Sequence, residues 1–233
     1  MQLHKRLTVN GEPVPLIDDD VRLDLSSPGR AAFTVRSSSP LKGLVQLDLG
    51  YYPNQLQRFF IGYVVNCTAV DNDQKKLMCR ELTAALAQVV PLAERYVTLA
   101  GVLGVVSAIT GLQFVTGTGS YTDHKAPAFY SAGTGYWIMD HLAQAFGIPQ
   151  YTWQQQGDGK VFVGSWPDSY WAGRSLELPT GFATNFGISN RAKVACIPSL
   201  RPGVFLNGNY VTKVELAGNF MNLTWSADLW NNK

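Results

Sequence analysis

Two Asp-His dipeptides, Asp123-His124 and Asp140-His141, set a carboxylate beside an imidazole, the pairing that metal centres and triads use. Neighbours along a backbone point in different directions, so neither dipeptide makes a bidentate site. The chain has three histidines, and His141 falls on the apolar face of a helical stretch; the expectation is a satisfied core histidine and no metal. Glu177 and Glu215 are the acids available for a glycoside-cleaving pair beyond the first strand-rich stretch. Each sits in plain strand alternation, which predicts a solvated face and not the apolar setting that raises an acid's pKa.

Thr116-Gly117-Thr118-Gly119-Ser120 has the glycines of a phosphate cradle but neither its Gly-Lys-Ser/Thr ending nor a helix directly after it. Asp18-Asp19-Asp20 lacks the spaced ligands and glycine of a calcium loop and reads as a solvated turn. Cys67, Cys79 and Cys196, an odd number at wide spacing with no C-x-x-C pair, read as three buried free thiols. Trp166, Tyr170 and Trp171 could stack on sugars, yet aromatics in a Pro/Gly-rich loop more often plug an interface. With no nucleophile elbow, His-Glu-x-x-His or dinucleotide fingerprint, the residues predict no catalytic, cofactor-binding or metal-ligating site, and no cofactor.

The elements around these residues are mostly strands. Leu3, Lys5, Leu7 and Val9 alternate with His4, Arg6 and Thr8 ahead of Asn10-Gly11, a strong hairpin signal. Val21–Leu25, Phe33–Arg36 and Leu44–Leu49 alternate between Pro, Gly and Ser clusters, and Phe59–Val65 reads as a more buried strand. After a turn at Asp71–Gln74, Lys75–Ala87 predicts a strand bending into a helix. Thr98 as N-cap and Gly111 as C′ residue predict one helix; Thr134 and Gly147 bound a second, with Trp137, Ile138, His141, Leu142, Ala145 and Phe146 on its apolar face. Tyr151–Trp153, the turn Gly157-Asp158-Gly159 and Lys160–Gly164 make a hairpin. Strands return in Ser175–Pro179, Ala192–Pro198, Val204–Leu206 and Tyr210–Leu216, and Asn219–Leu229 is expected as an edge. The fold class is α+β, mainly β, with barrel-like β-domains at 1–95 and 174–233 around a small α+β insert at 96–173.

Of 233 residues, 46% are hydrophobic and only 15% charged, with 22 Gly, 12 Pro and 27 aromatic residues as 6 Trp, 10 Tyr and 11 Phe. That mix favours β-structure with large contacts between chains. The net charge of +2 is too small to steer nucleic acid or an anionic membrane from a distance. It averages unlike segments: +1 before Tyr96, −2 from Tyr96 to Gly173, and +3 afterwards. Val97–Val115 approaches a membrane-spanning length, but its glycines and the caps at Thr98 and Gly111 limit the helix to about a dozen residues, too short to cross. The charged start, Met1 to Arg6, has no apolar signal stretch, and an intracellular site of synthesis is expected; the acceptor patterns Asn66-Cys67-Thr68 and Asn222-Leu223-Thr224 then carry no sugar.

Three stretches carry a family resemblance. The first is Arg58-Phe59-Phe60-Ile61-Gly62-Tyr63-Val64 leading into the Leu-rich run Leu77–Leu86. The second is Leu112-Gln113-Phe114 after a short helix, then helix Gly135–Phe146, then Gln156–Gly164. The third is Ile197-Pro198-Ser199-Leu200-Arg201-Pro202-Gly203 followed by Val211–Leu216. In this order they resemble the baseplate hub proteins of phage tails, the family shared with Mu-like tail proteins and the amino-terminal part of the VgrG spike protein. The resemblance implies a structural protein without catalysis: a subunit of a ring, usually a trimer with two tube-like barrels per subunit, joining the tail tube to a central spike or fibre. It implies as partners a distal tail or tail tube protein, the spike or fibre and the tape measure protein, with no nucleic-acid sequence recognition and no membrane span. It also implies residence in the virion, as part of the phage tail baseplate, after assembly in the host cytoplasm. Family members are often longer, so the second barrel is expected to be short or incomplete. A distal tail ring protein or carbohydrate-binding tail module is the alternative, and a wall-degrading tail enzyme the third.

Overall fold

The computed structural model describes residues 2–179, 183–187 and 190–230. Contacts group them into two units, the first formed by the chain up to Leu82 with Ser175–Asp228, the second by Thr83–Arg174 with the residues from Leu229 on. The first unit opens with β1 (His4–Val9), β2 (Glu12–Val14), β3 (Leu16–Asp24), β4 (Arg30–Arg36), β5 (Leu44–Gly50), β6 (Gln57–Ala69) and β7 (Gln74–Glu81). The second unit holds β8 (Leu92–Thr98), α1 (Leu99–Thr110), β9 (Phe114–Thr116), β10 (Lys125–Ser131), α2 (Gly135–Phe146), β11 (Tyr151–Gln155) and β12 (Val161–Ser165). The chain then returns to the first unit with β13 (Ser175–Leu176), β14 (Ala183–Gly187), β15 (Arg191–Ala195), β16 (Phe205–Leu206), β17 (Asn209–Ala217) and β18 (Phe220–Ser226).

All strands of the first unit share one thirteen-stranded sheet in the order β14-β15-β18-β17-β3-β4-β7-β6-β5-β1-β2, with β13 and β16 attached beside β17. The ladder that joins the two halves of the sequence is β17 on β3, antiparallel from Lys213↔Asp24 to Ala217↔Asp20. The sheet is open, and among the described residues β1 and β3 share no ladder. Lys5 instead reaches from β1 to Asp19 on β3, at 2.5 Å, and to the Gly218 carbonyl. Two expectations are corrected here. Asp18-Asp19-Asp20 is no turn but part of β3, with Asp19 only 6% exposed, because the alternation of Val21 and Leu23 extends back through it. The Asn219–Leu229 stretch is no edge: β18 is paired on both sides, with β15 and with β17.

Strand alternation builds the core. Val21 and Leu23, Phe33 and Val35, Leu77 and Cys79, Val214 and Leu216 all point to one face and are nearly inaccessible. Phe33 meets Phe60 edge to face at 5.9 Å. Each such side chain contributes on the order of 1.5–3 kcal/mol by leaving water. One polar group is embedded among them. Arg201, 4% exposed, donates through Nη2 to Glu81 Oε1 at 2.7 Å and through Nη1 to the Phe59 carbonyl, and Glu81 Oε2 accepts from the Gly29 amide at 2.7 Å. Four segments far apart in sequence are thus tied at one point: the β3–β4 turn, β6, the end of β7 and the loop before β16. Burial pushes the Glu81 carboxyl above its ordinary value against the pull of Arg201 and the Gly29 amide.

The second unit follows its expected caps. The Thr98 hydroxyl accepts from the Gly101 amide and the Thr134 hydroxyl from the Trp137 amide, while Gly111 and Gly147 end the two helices in the left-handed region at φ 74° and 63°. The expected hairpin forms as β11 and β12, and β9 adds to β12 in parallel. The buried side of α2 is Ile138, Met139, Leu142 and Phe146; Trp137, expected there, is 40% exposed. The Thr83 amide donates to Gln155 Oε1 at 3.0 Å and the Tyr136 hydroxyl to the Thr83 carbonyl, so the backbone at the start of the unit is satisfied from β11 and α2.

Removing one member of a buried ion pair leaves a charge without compensation, at about 3–5 kcal/mol. Arg201→Met is expected to cost that much in urea unfolding of the first unit, and Glu81→Leu with Arg201→Met to recover most of it.

Candidate functional site

The sheet of the first unit has one face packed into the core and one face turned away from it, and the second carries a row of polar side chains across seven neighbouring strands. Register lines up its residues. Lys193 on β15 stands opposite Asn222 on β18, which stands opposite Glu215 on β17 and then Arg22 on β3. The same row continues through Arg30 on β4 and Arg80 on β7 to Tyr63 on β6. Arg22 is neutralised within its own strand by Asp20, at 2.9 and 3.1 Å, and Lys213 by Glu215 at 2.7 Å. Arg30 and Arg80 stand directly opposite each other, and neither they nor Lys76 beside them form an ion pair among the described residues. A shallow concavity of about 340 Å³ lies here, lined by Asp20, Arg22, Arg30, Lys76 and Met78 with the alanines of β4 between them.

On β1, β5 and β6 the order of charge is the reverse. Arg6, Asp48 and Arg58 are opposite one another on three adjacent strands, a carboxylate between two guanidiniums. Arg6 Nη2 lies 3.0 Å from Asp48 Oδ2 and Arg58 Nε bonds Oδ1. Burial works to raise the Asp48 carboxyl, but Arg58 and Arg6 outweigh it and hold the group below its ordinary value.

The two ends of the sheet differ. β2 is three residues long, contains Pro13 and is followed by Pro15, features that block a further strand from pairing. β14, at the other end, is five residues without proline. On the second unit, Tyr96 is 73% exposed and Tyr130 and Val89 are also exposed, an aromatic surface around the β8–β10 pair.

The residues singled out for chemistry are not brought together. His124 contacts Phe146 edge to face, and His141 stacks on Trp137 at 3.9 Å while its Nδ1 lies 2.7 Å from the Trp137 carbonyl. His141 is therefore satisfied, as expected, but half-buried at the surface and not in the core. Glu177 is exposed, and Glu215 is tied to Lys213. Among the described residues no three His, Cys, Asp or Glu side chains form a group that could hold a metal. The Thr116–Ser120 loop wraps a side-chain pair: Tyr121 donates to Asp168 Oδ2 at 2.7 Å, and a Cβ at Gly117 or Gly119 would come within 2.4 Å of Tyr121 atoms. Burial and the Asp168 charge push the Tyr121 phenol up to about 12, so it remains a donor. Trp166 lies 6.4 Å from Trp230, Tyr170 packs edge-on against Trp171 at 5.0 Å, and the Arg174 guanidinium covers Tyr170 at 3.8 Å.

Cys79 and Cys196 are buried, and burial pushes both thiols up to about 12; Cys67, expected to be buried, is half-buried, its Sγ accepting from the Leu41 amide. No helix among the described residues is long and apolar enough to cross a membrane.

What sequence reasoning missed is the cross-strand arginine row and the Arg201–Glu81 pair. Alternation alone marks Arg22, Arg30 and Arg80 as facing away from the core, but only register makes them neighbours.

A carboxyl depressed in the folded protein stabilises it above the unfolded value of about 4, and that contribution is lost as pH falls through the folded value. Asp48→Asn is accordingly expected to lower stability at pH 7 by about 1.5 kcal/mol and to show a shallower acid transition than the parent in urea titrations between neutral and acidic pH. In the native protein, Ellman's reagent is expected to modify Cys67 first, with Cys79 and Cys196 reacting only on denaturation.

No family model matches the chain. An uncharacterised 58.7 kDa protein of Haemophilus phage HP1, from the lys 3′ region, is 30% identical over 220 residues, 94% of this chain; the chain spans 41% of that relative's length. Among solved structures, the 43 kDa tail protein of prophage MuSo2 from Shewanella oneidensis superposes with a TM-score of 0.71 at 12% identity, covering 97% of this chain and 98% of that one. The tail protein of Neisseria meningitidis MC58 gives 0.67 at 11% identity over 98% and 97%. The Escherichia coli c3393 protein, a type VI secretion component with structural similarity to T4 tail proteins gp27 and gp5, gives 0.63 at 12% identity over 96% and 77%. The chain therefore has the fold of these Mu-like tail proteins, the group that its three stretches resemble.

Proposed function

We propose that the chain is a structural subunit of a phage tail baseplate hub, one of the copies of a ring that joins the tail tube to a central spike or fibre. The observation that carries this reading is the superposition on the Shewanella prophage tail protein over nearly the full length of both chains. The physical character of the surface supports it. A chain with 15% charged residues and exposed aromatics at Tyr96, Tyr130 and Trp137 has surface suited to contact with other subunits. The sheet adds a geometric argument: one end is closed to further pairing by Pro13, so a neighbour that extends the sheet does so at β14.

In this reading the segments 1–95 and 174–233 act as two tube-like lobes and 96–173 as the inserted domain between them. Three copies, each presenting two lobes, meet the sixfold symmetry of a tube and the threefold symmetry of a spike. The tail tube or distal tail protein, the tape measure protein and the spike or fibre are the neighbours, the virion is the location, and no catalysis is involved.

Native mass spectrometry of the purified chain tests the ring: a species of three chain masses that persists on dilution is expected, and a protein that stays monomeric at all accessible concentrations contradicts it.

A further inference from the structure

We infer that the polar face of the first unit's sheet, centred on Arg30 and Arg80, is a contact surface for the phosphate backbone of double-stranded DNA, read without regard to sequence. The inference concerns this face of the single chain and holds whether or not the chain forms a ring. It begins from a cost. Like charges directly opposite on neighbouring strands destabilise a sheet, and Arg30 and Arg80 are such a pair. Arg22 continues the row on the far side of Arg30. Elsewhere in the same sheet the arrangement is complementary: Arg6, Asp48 and Arg58 alternate in sign across three strands. Arg22 and Lys213 each have an acid two residues away on their own strand. Arg30, Arg80 and Lys76 lack any such acid, so the fold gains nothing from their charges and loses something by their proximity.

The chemistry of the row fits phosphate. Guanidiniums present planar forks of donors that match phosphate oxygens, and they hold their charge at any physiological pH. Adjacent strands are about 4.8 Å apart, so Arg30 and Arg80 stand side by side, with Lys76 further along β7; beyond Arg30 the row passes to Arg22, already held by Asp20, and to Glu215. Met78, 45% exposed, is the large apolar side chain of the depression, and Phe220, 51% exposed, lies under Lys193 at the far end of the face; two separated side chains are too little to anchor the face in a lipid surface, which needs buried apolar area besides charge. The face is a sheet surface with a shallow depression, not a helix shaped for a groove, and it offers charge to a backbone rather than donors and acceptors to base edges. The overall charge of +2 conceals it because the acids that share this face stand on β3 and β17, where Asp20 and Glu215 are held by Arg22 and Lys213, and Asp18 and Asp24 lie on β3; β4 and β7 carry none on this face beside Arg30 and Arg80.

Fluorescence anisotropy with a short labelled duplex of arbitrary sequence, as a function of salt, reads the binding. The full chain is expected to bind at low salt with a slope of log affinity on log salt of about −2 to −4, equally for unrelated sequences. Arg30→Glu with Arg80→Glu is expected to weaken binding at least about tenfold and to flatten that slope, whereas Lys160→Glu, on the second unit and paired with Asp158, leaves both within about twofold. The single change Arg30→Glu sets an acid between Arg22 and Arg80, so it is expected to raise the melting temperature while it weakens binding; a merely structural arginine lowers the melting temperature when replaced. Absence of binding at low salt, an equal loss in Lys160→Glu, or tighter binding to phosphatidylserine vesicles with the same dependence on Arg30 and Arg80 overturns the inference.

Discussion

Arg201 and Glu81 form the interaction on which the first unit depends. The sheet draws its strands from both ends of the sequence, and among the described residues the five-residue ladder between β3 and β17 is the one strand pairing that crosses between them, flanked by single hydrogen bonds from Lys5 to Gly218 and from Tyr51 to Cys196. The buried ion pair adds a tie inside the core. One side chain from the loop before β16 satisfies a carboxylate at the end of β7 and a carbonyl of β6, and that carboxylate holds the β3–β4 turn through Gly29. Such a pair contributes little net stability compared with an apolar replacement, because both charges leave water. Its value lies in specificity: a carboxylate this deep tolerates only the arrangement that brings Arg201 to it, so the late loop has one place to go.

The same logic separates structural charge from charge with another purpose. Where charged groups support the fold, they are arranged with opposite signs in contact, as at Lys5–Asp19, Arg6–Asp48–Arg58 and Glu81–Arg201. The Arg30–Arg80 juxtaposition breaks that pattern on the open face of the sheet. A stability cost without a structural return is the mark of a surface kept for a partner.

Much of this fold was legible in the sequence because its signals are local. Thr98, Gly111, Thr134 and Gly147 cap their helices as their types dictate, and Asn10-Gly11 makes the first hairpin with both residues at positive φ. The strands from Val21 to Leu49 follow their alternation. What was not legible depends on contacts distant in sequence. Asp18–Asp20 looks like a turn until β4 and β17 flank the strand that contains it, and β18 looks like an edge until β15 pairs with its outer side. Arg201 lay inside a stretch quoted for family resemblance, yet its role needs Glu81, 120 residues away. Trp137 belongs to the apolar stripe of α2 by spacing but stacks on His141 at the surface, while Met139 is buried. The three-stretch resemblance carried the functional reading, since no single residue cluster announced one.

The most direct test of the account is image reconstruction of intact tails from the phage or prophage that encodes this chain. The account predicts density for both units of the chain in a symmetric ring on the tail axis, at the end of the tube beside the central spike or fibre. Tails complete at that position without this chain, or the chain found only off the axis, would contradict it.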